Sequence, residues 1–245
     1  MNNLYTELSD IYEGMYQTFI NYEAEFNFYS KILQDFHCKS VVEIGCGTGH
    51  LAHPLVNQGF EYMGLDLSVD MLAIARRNYP QYHFLEADMR NFNLAKSLDA
   101  AIITGRTISY LITNEDVYNT FKTIHHNLND SGILCFDCID ANAFIPAIQE
   151  GKKIIHQAMV KGRQFQRDSF WTINFNHSWT FNWLSVYYEK NETGESTKIG
   201  GDHSTIRAFT KDEITLFLTL AGFQIERIIP RLSYAFDTYV FIAKK

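Results

Sequence analysis

Glu43-Ile44-Gly45-Cys46-Gly47-Thr48-Gly49 puts a carboxylate and three glycines directly behind the apolar run Val41 to Ile44. Glycine at such a turn lets the backbone approach a ligand that a side chain would hold off. A helix opening after the turn offers unpaired N–H groups to an anion. Two further acids fall where the next strands end. Asp66 closes Glu61 to Leu65, a place from which a carboxylate accepts both hydroxyls of a ribose. Asp88 follows Tyr82 to Leu85, where it accepts from an exocyclic adenine amine while the next backbone N–H meets a ring nitrogen. A glycine turn alone is weak evidence; with acids behind both following strands it points to a nucleoside-containing cofactor. The dinucleotide fingerprint asks for glycine three residues after its second glycine, but His50 stands there.

These residues need strand ends to carry them, and the pattern supplies strands and helices in alternation. Residues 4–36 read as helical and rich in tyrosine. Strands follow at Val41 to Ile44, Glu61 to Leu65, Tyr82 to Leu85, Leu98 to Thr104 and Ile133 to Phe136. Ser68 caps a helix carrying Met71, Leu72 and Ala75, and Asn114 is the expected cap of a helix striped by Val117, Phe121, Ile124 and Leu128. Thr210 to Glu213 is a capping box, its helix closing at Gly222 before the strands Phe223 to Ile229 and Tyr239 to Ala243. Residues 151–208 break the alternation and read as an antiparallel insertion with a hairpin turn near Asn191 to Gly194. The expected fold is α/β, a Rossmann-like, mostly parallel sheet with helices on both faces, an antiparallel β insertion and an N-terminal helical lid. One domain spans 1–245: lid 1–36, cofactor half 37–150, insertion 151–208, and last helix and strands 209–245.

Val41 to Leu51 resembles the first motif of class I S-adenosylmethionine-dependent methyltransferases. Gly64-Leu65-Asp66-Leu67-Ser68 and Ala87-Asp88-Met89-Arg90-Asn91-Phe92 resemble the next two, in order and at suitable spacing. The resemblance implies seven strands with the last antiparallel, and S-adenosyl-L-methionine as cofactor with S-adenosyl-L-homocysteine as product. It implies Gly45, Gly47 and Gly105 near the methionine part, Asp66 at the ribose, Asp88 and Met89 at the adenine with Met71 a looser apolar neighbour, and Glu43, Cys46 and Leu67 among the cofactor-binding residues. Within the class the chain is most similar to small-molecule N-methyltransferases acting on amino sugars and related amines. It shares their tyrosine-rich first segment, the antiparallel insertion and Arg207-Ala208-Phe209-Thr210. By the same resemblance Tyr12 and Tyr110 face the acceptor, with Tyr16 and Tyr22 as lid contacts.

The acceptor side is less determined by residue type. His203 is a candidate base, and Arg207 a candidate partner for a substrate carboxylate, with a structural role open for both. From Trp171 to Trp183 the alternate residues Trp171, Ile173, Phe175, His177, Trp179, Phe181 and Trp183 make one aromatic face of a strand. That face either packs on the domain or a second subunit, which gives a homodimer through the insertion, or roofs the substrate cavity with Trp179 and Trp183. Cys135 and Cys138 have half a zinc site's spacing, with no second pair, inside a strand that reads as buried; Asp137 and Asp140 flank a strand end where, by the same resemblance, metal-free members of the class also carry an aspartate, so no metal is expected.

Composition excludes other classes. The net charge is −7 and the basic residues are dispersed, which argues against nucleic acid. No apolar run reaches membrane-spanning length and the N-terminus lacks a signal peptide, so a cytoplasmic location is expected. The expectation is methyl transfer to a small-molecule amine. The alternatives are O-methylation of a hydroxyl or carboxylate, a nicotinamide oxidoreductase, and a cofactor-binding module without turnover.

Overall fold

The computed structural model describes residues 9–149, 151, 153–174, 179–191, 193–232 and 236–245. Helices α1 (Ser9–Phe19) and α2 (Tyr22–Asp35) come first, divided by Asn21, whose side chain accepts from the Ala24 N–H at 3.0 Å. The alternating part then runs β1 (Ser40–Ile44), α3 (Ala52–Asn57), β2 (Glu61–Asp66), α4 (Val69–Asn78), β3 (His83–Glu86), β4 (Leu98–Ile103), α5 (Asn114–Asn127), β5 (Leu128–Ile139) and α6 (Ala141–Gln149). Next come β6 (Lys153–Val160), β7 (Arg163–Ile173), β8 (Thr180–Lys190) and β9 (Ser196–Arg207), and the chain closes with α7 (Lys211–Leu220), β10 (Gln224–Leu232) and β11 (Asp237–Lys244).

Seven strands form one sheet in the order β10-β11-β5-β4-β1-β2-β3. All run parallel except β11, which is antiparallel to both of its neighbours. The order reverses between β1 and β4, and in open sheets that switch point opens a crevice at the carboxyl ends of the strands. All five residues of β1 are buried because helices cover both faces. Val42, Ile44, Phe121, Phe136 and Phe241 pack on one face, and Val41, Tyr29, Leu33, Leu55 and Ile242 on the other.

The helix starts follow local chemistry, with one exception to the expected caps. Ser68 Oγ accepts from the Met71 N–H, and Thr210 and Glu213 satisfy one another as a capping box. The cap of α5, however, is Thr113, whose Oγ1 accepts from the Asp116 N–H at 3.0 Å. Asn114 is instead the first helical residue, its Oδ1 taken by Arg207 Nη2 at 2.7 Å.

The four remaining strands form a second, antiparallel sheet, β6-β7-β8-β9. The turn before β9 is held by Asn191 Oδ1, which accepts from the Thr193 and Glu195 N–H groups at 3.1 and 2.8 Å. The aromatic run is not one strand but the two arms of a hairpin. Trp171 pairs with Trp183 and Ile173 with Phe181, so alternation carries across the turn and the odd positions share one face. Phe175 and His177 lie outside the described residues. The face is covered within the chain: Phe144 meets Phe181 edge-on at 4.8 Å, and Trp171 meets Phe236 at 5.1 Å. Among the described residues, no helix is long and apolar enough to cross a membrane.

Candidate functional site

At the switch point a cavity of about 960 Å³ opens between the two sheets. Its floor is the carboxyl edge of β1, β2 and β4; α1, α2 and the second sheet form its roof. The glycine turn is tied down from below, since the Gly45 and Cys46 N–H groups donate to Leu65 O at 2.7 and 3.0 Å. Gly45 has φ +74°, and a Cβ there would meet Thr107 Cγ2 at 2.4 Å, so only glycine fits. Gly47, φ +53°, is the opposite case, because a Cβ would meet no protein atom within 4 Å and would fill cavity space.

Asp66 ends β2 beneath this turn. Its carboxylate accepts from the Gly47 N–H at 2.7 Å and the Ser68 N–H at 2.8 Å. Burial pushes its pKa up, against the pull of those N–H groups. Glu43 is almost fully buried on β1, where Oε2 accepts from Tyr62 Oη at 2.6 Å and Oε1 from Thr104 Oγ1 at 3.2 Å. Burial outweighs both bonds and pushes Glu43 up to about 7. Asp88 also lines the cavity, with Arg90 gripping its carboxylate through Nε at 2.9 Å and Nη2 at 2.6 Å. That pairing holds Asp88 below the usual carboxylate range. Cys46, Leu67, Met71, Met89 and Gly105 complete this wall, and burial leaves the Cys46 thiol protonated and inert. The helix expected after the glycine turn is only α3, which opens at Ala52 beyond the turn residues 48–51.

The roof is latched to the floor by Glu13 of α1. Its Oε2 accepts from Thr48 Oγ1 at 2.6 Å, and Oε1 lies 2.7 Å from His50 Nε2. Burial alone would raise Glu13, but the hydrogen bond and charge of His50 bring it below the usual value. Tyr22 stacks on His50 with ring centres 3.9 Å apart. Tyr16 is buried in the cavity wall and its Oη accepts from Arg167 Nη1 at 3.0 Å. Tyr12 lies on α1, and its side chain is outside the described residues.

Tyr110 and Trp183 line the cavity, but three other predicted acceptor-side residues do not. His203 is exposed on β9, opposite the exposed Leu184, on the face turned away from the cavity. Arg207 is buried as a clamp between elements, donating to Ile112 O, Asn114 Oδ1 and Glu213 Oε1 at 3.3, 2.7 and 3.0 Å. Trp179 sits at the hairpin with φ +58° and 40% of its surface exposed.

Sequence reasoning missed a polar set that only the fold assembles. Arg106, with φ +62°, turns the chain after β4 so that its N–H donates to Asp137 Oδ1 at 2.8 Å. Burial lifts Asp137 to about 6, though the Arg106 cation pulls the other way. Arg167 and His156 pair across β7 and β6, and both line the cavity. A strand-end Asp137 was visible in sequence. The alternation of β7, which puts Arg167 on the same face as Trp171, was the one other available signal.

A family model for a methyltransferase domain matches residues 41–132. An uncharacterized methyltransferase of Bacillus mycoides is 32% identical over 160 residues, covering 62% of this chain and 74% of that one. The chain belongs to the S-adenosylmethionine-dependent methyltransferase family. A dTDP-3-amino-3,4,6-trideoxy-alpha-D-glucopyranose N,N-dimethyltransferase of Streptomyces venezuelae is 26% identical, with 76% of each chain covered. The structure of CalS10 bound to S-adenosylmethionine, an amino pentose methyltransferase of Micromonospora echinaspora, superposes with a TM-score of 0.79 at 19% identity. That match covers 96% of each chain. Against two putative methyltransferases, of Bacillus subtilis and Geobacillus, the matched stretch spans 41% and 50% of their length. The methyltransferase cofactor fits the cavity floor: Gly47 leaves a cradle that a Cβ would fill, beside the buried carboxylate of Asp66.

Proposed function

We propose that this methyltransferase moves a methyl group from S-adenosylmethionine to the nitrogen of a small-molecule amine. The observation carrying this reading is the roofed cavity over the glycine turn, lined by α1, α2 and the second sheet. The cavity lies near the top of the roughly 300–1,000 Å³ range of small-ligand sites, enough for a nucleoside cofactor and one small acceptor. Helices α1 and α2 and the second sheet roof it, leaving a pocket rather than a groove for a polymer. The similarity to the Streptomyces venezuelae aminosugar dimethyltransferase supports an amine.

In this reading Asp66 and Leu67 hold the ribose, and Asp88, Met89 and Met71 bracket the adenine. Glu43, Gly45, Cys46, Gly47 and Gly105 surround the methionine part. Bound S-adenosylmethionine supplies an electrophilic methyl on a sulfonium. The protein then has to align the acceptor, exclude water and take a proton. The latched roof excludes water, and Tyr16, Tyr22, Tyr110 and Trp183 orient the acceptor. Asp137, with a pKa of about 6, is poised to take the proton that an ammonium acceptor must lose before its nitrogen lone pair can attack. The test is turnover of S-adenosylmethionine across panels of small amines, hydroxyl compounds and carboxylates. Release of S-adenosylhomocysteine with amines alone is expected; turnover confined to hydroxyls or carboxylates would overturn the amine assignment.

A further inference from the structure

The segment after β3 is fastened from behind the cavity wall. Asp88 and Met89 line the cavity, and Arg90 follows them with 46% of its side chain exposed. The Arg90 guanidinium joins two carboxylates. Nε donates to Asp88 Oδ1 and Oδ2 at 2.9 and 3.0 Å, Nη2 donates to Oδ2 at 2.6 Å, and Nη1 donates to Asp116 Oδ1 at 2.9 Å. The Arg90 backbone N–H adds a bond to Asp88 Oδ1 at 2.9 Å. Asp116 is itself held in the first turn of α5, where its Oδ2 accepts from Thr113 Oγ1 at 2.8 Å. The same helix grips the segment twice more. Thr123 Oγ1 donates to Arg90 O at 2.8 Å, and Asn127 Oδ1 accepts from the Leu94 N–H at 2.7 Å.

Partly exposed ion pairs contribute little to stability, so stability alone does not account for this arrangement. Its consequence is orientation. A planar fork fixes both oxygens of one carboxylate while its third nitrogen reaches another, which a lysine ammonium does not do. An ionised carboxylate offers roughly four acceptor sites and no donor. The Nε, Nη2 and backbone N–H groups of Arg90 take three of them and leave one for a ligand. The Arg90 hydrogen bonds also hold Asp88 below the usual carboxylate range, so it stays an acceptor at neutral pH.

We propose that Arg90 is a positioning residue for the cofactor's base: by pinning Asp88 against α5 it sets the selectivity of the cavity for a 6-aminopurine over a 6-oxopurine. The inference rests on the reading of Asp88 and Met89 as the adenine partners. Adenine brings an amine to the carboxylate and a bare ring nitrogen to the Met89 N–H. Hypoxanthine brings a carbonyl oxygen to the carboxylate and a ring N–H to the Met89 N–H, so both contacts are mismatched. A loose carboxylate swings to accept that ring N–H and tolerates the wrong base. A carboxylate held by three N–H groups does not follow it.

The test is calorimetric titration of the full chain with S-adenosylhomocysteine and with S-inosylhomocysteine, its 6-oxo analogue. Wild type should prefer the adenine compound by about a hundredfold, the scale of two mismatched hydrogen bonds. Arg90→Met should shrink that preference about tenfold, chiefly by weakening S-adenosylhomocysteine. Arg90→Lys keeps the charge without the fork and should not restore it. A preference unchanged in Arg90→Met, with both ligands weakened equally, would make Arg90 merely structural and overturn the proposal. Full preference in Arg90→Lys would overturn it too, since charge without the fork would then suffice. Asp88→Asn separates this inference from the reading beneath it. If Asp88→Asn loses the preference while Arg90→Met keeps it, Asp88 meets the adenine and only the role of Arg90 falls. If wild type has no preference, or Asp88→Asn retains it, the adenine reading of Asp88 fails and this inference with it. Should Arg90→Met bind neither ligand, Asp116→Asn takes its place, removing only the outer anchor of Arg90. A preference narrowed about threefold then supports the proposal, and an unchanged one refutes it.

Discussion

Replacing Asp66 by alanine removes a carboxylate that has two tasks. In the protein alone it accepts from the Gly47 and Ser68 N–H groups at 2.7 and 2.8 Å, holding the glycine turn over the end of β2. With cofactor bound it is also the proposed partner of the ribose hydroxyls. A charge-assisted hydrogen bond contributes about 1.5–3 kcal/mol, so the cofactor contact should weaken by about 2 kcal/mol. That is about thirtyfold in Kd. The effect on stability should be smaller, about 1 kcal/mol, because burial already disfavours the charged form of Asp66 and its removal relieves that cost. For a chain of this size the melting temperature should then fall by roughly 2–4 °C. Asp66→Asn keeps the volume and one acceptor oxygen but turns its NH2 toward one of the two N–H groups, so it should rescue only part of the loss. Calorimetric titration of S-adenosylhomocysteine into all three proteins decides it. Affinities within about twofold of wild type in both variants, with melting curves unchanged, would refute the reasoning about this carboxylate.

Glu43→Gln should flatten part of the pH dependence of stability. A carboxyl raised from 4.5 to about 7 keeps its proton longer in the folded state, so wild type loses stability as pH climbs through that window. The loss reaches roughly 3 kcal/mol at pH 8 by linkage, and urea melts of both proteins at pH 5 and pH 8 should show the difference shrinking in the variant. Glu13→Gln weakens the latch to Thr48 and His50, so amide exchange across α1 should quicken, and saturating cofactor should slow it in wild type. Exchange indifferent to both changes would make α1 a fixed wall. Trp183→Ala should change the Michaelis constant or kcat for the acceptor, whereas Trp179→Ala, at an exposed turn, should stay within about twofold.

The strand ends that carry the glycine turn and its acids were legible because their signals are local. Each acid or glycine follows its own strand by a residue or two, so Gly45, Gly47, Asp66 and Asp88 were placed by reading one strand end at a time. The seven strands and the antiparallel last one followed from the resemblance those motifs carry. What sequence did not show depends on distant partners. Thr113 and Asn114 both suit a helix cap, and the choice falls to Thr113 because Arg207, 93 positions on, takes the asparagine oxygen. Residue type left Arg207 open between a substrate partner and a structural role, and its neighbours Ile112, Asn114 and Glu213 give the structural one. Glu13 reaches Thr48 over 35 positions and Arg167 reaches Tyr16 over 151, and no pattern within either segment predicts its partner. The aromatic run failed for a different reason. Trp171 opposes Trp183 in register, so a hairpin preserves the alternation that a single strand would show, and Trp179 sits at its turn and not within a strand.

The central claim is transfer to nitrogen on a small molecule. It is tested most directly by incubating the protein with S-adenosylmethionine carrying a ¹³C-labelled methyl group and the best amine from the turnover panel, then reading the carbon spectrum. The account predicts a new N-methyl resonance on the amine, in amounts equal to the S-adenosylhomocysteine formed. Label found on oxygen, on protein, or remaining wholly on the sulfonium while the cofactor stays bound would contradict it.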